Sequence, residues 1–97
     1  MKLAEAVLNL NGLPDEAILF AERINGHFSP ESSVVILALD DEELARPTIE
    51  VAALKASGTE YFLEAFLVRD MVAELLDQGA DTSHILQRVI HYAEHDA

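Results

Sequence analysis

Apolar residues recur at helical spacing from the start of the chain. In "KLAEAVLNL", Leu3, Ala6, Val7 and Leu10 fall at i, i+3, i+4 and i+7, the pattern of a helix with one buried face. Gly12 is a stop, and Pro14 reinforces it. The next stretch, "LPDEAILFAERINGHFSP", supports two readings. As a helix, Pro14 opens it, Asp15 and Glu16 occupy its first turn and Gly26 closes it. As a strand, residues 17–21 form a short apolar run, and Asn25-Gly26 is a hairpin-type turn. The strand is preferred, because a second strand candidate follows closely. Pro30 interrupts a ladder, so an irregular connection is expected in place of a two-residue turn.

"SSVVILALDD" is the plainest strand. Val34 to Leu39 run without a polar break and are rich in β-branched side chains. Such continuity predicts a strand covered on both faces. "DDEELARP" then reads as a helical turn: Asp40 or Asp41 caps it, Glu42 and Glu43 sit at its positive end, and Pro47 stops it. "PTIEVAALKASG" reads as a short helix that starts at Thr48 and ends by Gly58.

The longest element lies in "TEYFLEAFLVRDMVAELLDQG". From Ala65 onward, Ala65, Val68, Met71, Val72, Leu75 and Leu76 share one broad face, and Gly79 ends the helix. Its front, "YFLEAFL", is apolar on every side. Either the helix begins at Thr59, or Glu60 to Glu64 is a third strand that feeds straight into it; the strand is preferred. "GADTSHILQRVIHYAEHDA" starts a last helix capped by Asp81 or Thr82. The short link favours an antiparallel helix pair. The expected fold is therefore α+β, one domain over residues 1–97: a small antiparallel sheet of two or three strands packed against helices, ending in a C-terminal antiparallel helix pair. The all-α alternative reads Pro14–Ile24 as helix.

Composition narrows the function classes. A chain of 97 residues buries only about 60–65% of its unfolded surface, so the core is small. It is also aliphatic, with no Trp. The formal charge is −12, from 18 acidic and 6 basic residues. Phosphate backbones and anionic membrane surfaces repel such a protein, so neither nucleic acid nor membrane is an expected partner. A basic protein partner is expected instead. The absence of cysteine removes disulfides, thiol catalysis and cysteine-ligated metals. "MKLAEAVLNLNG" lacks the apolar core of a signal peptide, no run approaches the ~18 residues of a membrane span, and a cytoplasmic location is expected.

Three of the four histidines, His84, His91 and His95, lie in the last helix. At about 100° per residue, His91 and His95 fall about 20° to either side of His84. The apolar residues Ile85, Leu86, Val89, Ile90, Tyr92 and Ala93 occupy the opposite half, so the histidines face away from the core. His91 and His95, at i and i+4, have the spacing of a bidentate metal pair. His84 is two turns away, and Arg88 between the histidines repels a cation. A solvated polar face explains the stripe without a metal.

The run Asp40, Asp41, Glu42 and Glu43 closes the best strand, a place where carboxylates hold magnesium in other proteins. Glu60 or Asp15 would have to complete such a site, and no spacing selects them. Helix capping plus a solvated charge run accounts for all four. There is no phosphate-binding glycine loop, no dinucleotide turn and no nucleophile elbow. Six basic residues are few for an anionic-substrate pocket, although Arg46 or Arg69 could act singly.

The expected function is a small acidic protein-interaction module, an adaptor or an inhibitor or immunity-type protein, with Asp40–Glu43 as its protein-binding face. No catalysis and no cofactor are expected. One alternative is a metal-responsive protein that uses His91 and His95; another is a small metal-dependent hydrolase built on the acidic run. A homodimer through Phe62, Phe66 and Leu67 is expected if "YFLEAFLV" is a helix apolar all round. If it is a strand packed on both faces, that apolar excess vanishes.

Overall fold

The computed structural model describes residues 1–10 and 12–96. Eight elements follow in order: α1 (Leu3–Leu8), β1 (Ala17–Ala21), β2 (Val34–Ala38), α2 (Asp41–Leu44), α3 (Thr48–Lys55), β3 (Glu60–Glu64), α4 (Ala65–Asp77) and α5 (Thr82–His95). The fold is α+β. Its three strands form one antiparallel sheet in the order β2-β1-β3.

The segment with two sequence readings, residues 14–24, contains β1, the central strand. Every residue of β1 is buried. Its alternation divides the core in two. Ala17, Leu19 and Ala21 point to a larger cluster with Leu3, Val7, Phe62, Val68, Ile85 and Val89, drawn from α1, β3, α4 and α5. Ile18 and Phe20 point the other way, to Leu39, Val51, Ala52 and Ala56 under α3. Phe20 is fully buried there and meets Tyr61 edge-on at 6.4 Å; a ring buried this completely contributes about 1.5–3 kcal/mol.

The continuous apolar run at 34–39 predicts a strand covered on both faces. The structure corrects this: β2 is an edge strand. Val34 is buried, Val35, Ile36 and Leu37 are half-buried, and Ala38 is exposed. The reason is competition for the centre. Glu60–Glu64 is indeed a strand and takes the far side of β1, while α3 packs over β3 and leaves β2 partly bare.

β3 runs into α4 with no intervening loop. A register shift between Leu19 and Phe20 marks a bulge in the β1–β3 ladder. Asn25 and Gly26 both hold positive φ, 54° and 84°, and form a two-residue turn: Ile24 N donates to His27 O at 2.7 Å, and His27 N to Ile24 O at 3.1 Å. This turn does not join the strands: it is nested in a longer β1–β2 connection, the irregular link expected from Pro30. Phe28 from that connection packs edge-on against Phe62 at 4.9 Å.

Asp81 caps α5 by accepting from His84 N at 2.9 Å. Ile85, Leu86, Val89 and Ile90 form its buried face, and α5 packs on α4. Among the described residues, no helix is long and apolar enough to cross a membrane.

Candidate functional site

The acidic run divides into two pairs with different jobs. Asp40 Oδ1 accepts from Glu43 N at 2.8 Å, and Asp40 N donates to Glu43 Oε1 at 3.2 Å. This reciprocal box starts α2. Glu43 also pairs with Lys55 of α3. The Lys55 hydrogen bond, then the Asp40 amide, hold its carboxyl below the usual carboxylate range. Asp40 and Glu43 are thus structural. Asp41 and Glu42 stay exposed, and Glu42 reaches Arg46 one turn on at 3.6 Å.

Between α2 and α3 lies an open groove of about 250 Å³, lined by Asp40, Glu42, Arg46, Val51, Leu54 and Lys55. Leu54 in its lining stands exposed, as do Leu44 on α2 and Ile49 on α3. The combination of carboxylates with exposed aliphatic side chains suits a protein surface better than a small-molecule pocket, which encloses its ligand.

The ligands that a magnesium site would need do not converge. Glu60 is paired with Arg23 at 2.7 Å, and Asp15 with Arg69 at 2.6 Å. Arg69 is not free for an anionic substrate either: its Nη2 donates to the main-chain oxygens of Leu10 and Leu13 at 3.2 and 2.7 Å. The histidine stripe faces outward as its spacing predicts, with His84, His91 and His95 all exposed. It is divided between two surfaces. The His91 and His95 rings lie 4.6 Å apart beside Pro30, Leu86 and Ile90, in an open groove of about 410 Å³. His84 lines a different groove with Arg88, Met71 and Gln78. Among the described residues, no three His, Asp or Glu side chains are grouped to hold a metal ion.

Phe62, Phe66 and Leu67 are separated by the strand-to-helix junction. Phe62 is 1% exposed, inside the core and unavailable to a partner; it is the residue that the bulge leaves unpaired, so it shares the larger cluster with its neighbour Leu63 and meets Phe28. Leu67 packs partly into the same core, and only Phe66 remains open, at 42%. The ring excess that motivates a dimer comes from a helix starting at Thr59, and the strand removes it.

A charged cluster that the sequence reading does not anticipate ties the β1–β2 connection to α5. Glu94 Oε2 sits 3.0 Å from His27 Nδ1 and 3.7 Å from Arg23 Nη1. Arg23 also bridges to Glu60 and lies over the Phe28 ring at 4.3 Å. Glu94 borders the same groove as His91 and His95, with its Oε2 engaged by His27 and Arg23. The fourth histidine, His27, is the one with a carboxylate partner, across 67 residues of sequence. Tyr61, beside this region on β3, has its phenol pushed up to about 12 by burial and by the Glu64 carboxylate.

The fold and surface define a small acidic α+β protein. Comparison with known proteins finds no match to a family model, a curated protein or a solved structure.

Proposed function

We propose that this chain is an acidic protein-interaction module that binds a basic protein partner and performs no chemistry of its own. One observation carries the reading. Lys2, Arg23, Arg46, Lys55 and Arg69 each already hold a carboxylate partner within the chain. Among the described residues, only Arg88 lacks one. The cations are thus committed internally, while Asp41, Glu50, Asp70, Glu74 and Asp77 face solvent without a cationic partner. A surface of one sign raises the encounter rate of an oppositely charged partner and rejects other anions. In the α2–α3 groove the exposed Leu54 adds apolar contact area beside Glu42.

The test is capture from the native cell at low and high salt, followed by reconstitution with the purified candidate. The expected partner is basic, and its association rate falls at least about tenfold between ~0.02 and ~0.2 M salt, as the screening length shortens. Asp41→Lys with Glu42→Lys should weaken the complex and leave the α2 cap intact. If no basic protein is retained at low salt, the reading fails.

A further inference from the structure

We propose that the open outer edge of β2 accepts an extended, lysine- or arginine-bearing segment of a partner protein as an added strand. This rests on the acidic-module reading and assigns it a docking place. The lane outside β2 is half filled by the chain itself. Val34 N donates to Met1 O at 2.8 Å, and Leu3 N donates to Ser32 O at 2.8 Å, around the antiparallel Lys2–Ser33 bridge. Among the described residues, nothing occupies the lane beyond Val34. Main-chain direction alternates along a strand. Because the Val34 N–H points outward, those of Ile36 and Ala38 do too. Among the described residues, neither Ile36 nor Ala38 finds an outward partner.

Unpaired edges recruit other strands unless charge, proline or a bulge blocks them. The two edges of this sheet differ in that respect. β3 carries Glu60 and Glu64 and the ladder's bulge. β2, reading Val-Val-Ile-Leu-Ala, carries no charge, no proline and no register break. Its side chains also want cover. Val35 and Leu37 are half-buried on the α3 side, and Ile36 is half-buried on the opposite side.

Charge selects the occupant. The empty lane leads directly to Asp40, Asp41 and Glu42, all exposed. The nearest cations, Arg46 and Lys55, already face Glu42 and Glu43. A basic strand lying along residues 35–39 would bring its next residues against those carboxylates. A second copy fits less well. Pairing β2 with β2 about Leu37 would drive each copy's acidic run toward the other's residues 1–3, where the lane is already filled. The open ladder offers only the outward groups of Ile36 and Ala38, so backbone pairing alone is weak and the charges must assist it.

The probe is a capped ten-residue peptide alternating lysine and valine, added to the full chain at ~0.05 M salt. Hydrogen exchange at the Ile36 and Ala38 amides should slow about tenfold or more on binding. Ala38→Pro, which removes one outward donor and changes no charge, should weaken binding about tenfold. A peptide N-methylated at alternate residues keeps its charge and loses donors, so it should also bind about tenfold more weakly; this comparison decides the matter if Ala38→Pro fails to fold. Equal binding of both peptides with unchanged Ile36 exchange overturns the edge proposal and leaves the acidic module standing. No binding at low salt overturns both. Protection of the Ile36 and Ala38 amides without peptide, together with a dimer in sedimentation, gives the edge to a second copy and overturns the proposal.

Discussion

Replacing Arg69 with Met tests how the loop before β1 is held. Arg69 projects from α4 and clamps that loop by three bonds: Nη2 to the carbonyls of Leu10 and Leu13, and Nη1 to Asp15. Methionine keeps much of the apolar stem and removes every donor. The two carbonyl bonds lie in part-buried surroundings, where a bond from a charged donor contributes about 1.5–3 kcal/mol. The Asp15 pair is worth less, about 0–1 kcal/mol, because Asp15 is largely exposed. Against these stands Nε, which is buried without a partner among the described residues. Its removal returns about 1–3 kcal/mol. The net cost expected for Arg69→Met is about 2–3 kcal/mol. For a domain of this size that is a fall of about 10–20 °C in Tm, at about 4–8 °C per kcal/mol. Asp15→Asn should cost under about 1 kcal/mol. Arg69→Lys should fall between, since one ammonium cannot span two carbonyls and a carboxylate in the same fork. Urea unfolding followed by circular dichroism measures all three. If Arg69→Met lies within about 0.5 kcal/mol of the parent, or Asp15→Asn costs as much, the carbonyl clamp is not what holds the loop.

Three further outcomes follow from the same structure. Tyr61, with its phenol at about 12 when folded against an ordinary 10.0, favours the folded state fully below pH 10 and loses that contribution as pH rises toward 12; absorbance titration should show a late phenolate step that Tyr61→Phe removes. Glu43 is depressed by Lys55 and the Asp40 amide, so its contribution is present above its unfolded pKa and disappears as pH falls through the folded value. Lys55→Met should therefore flatten the acid side of a stability–pH curve measured by urea midpoints, and an unchanged slope would refute the pairing. With Phe62 inside the core, sedimentation at micromolar concentration and physiological salt should give one species near 10.7 kDa, and a dimer that Phe66→Asp disrupts would show that the Phe66 face closes on a second copy.

Much of the fold was legible because helices and turns announce themselves locally. Leu3, Ala6 and Val7 of α1, and Leu10 just beyond its end, are predicted as one buried face, and all four are buried. The preference for strand at Glu60–Glu64, and its direct passage into α4, can be read from a segment too apolar all round for a surface helix. Strand order was another matter. Val34–Leu39 has the more continuous apolar run, yet β1 holds the centre. The run length of a strand measures how readily it pairs and packs. Which neighbour claims the middle depends on β3 and on where α3 comes to lie, and these are contacts between segments far apart in the chain. The half-bare β2 that results is an edge that no local pattern marks.

The candidate surface shows the same limit in its charges. A net charge of −12 says that anions are in excess, and it does not say which of them are free. The i, i+4 pair Glu42–Arg46 can be found by spacing. The pairs that tie distant segments, Arg23 with Glu60 and Glu94 and Arg69 with Asp15, exist only once the sheet has brought loops and helices together. Those pairs turn Arg69 from a possible anion receptor into a loop clamp, and they place His27 in contact with Glu94 while three more obvious histidines remain on solvated faces. Once such pairs are removed from the count, the uncompensated field lies with the helix carboxylates and the exit of β2. There the exposed Asp41 follows a strand whose outward Ile36 and Ala38 groups have no main-chain partner among the described residues. Electrostatic attraction alone is tolerant of geometry, whereas a strand edge demands register. A partner that used both would gain speed of encounter from the first and selectivity from the second.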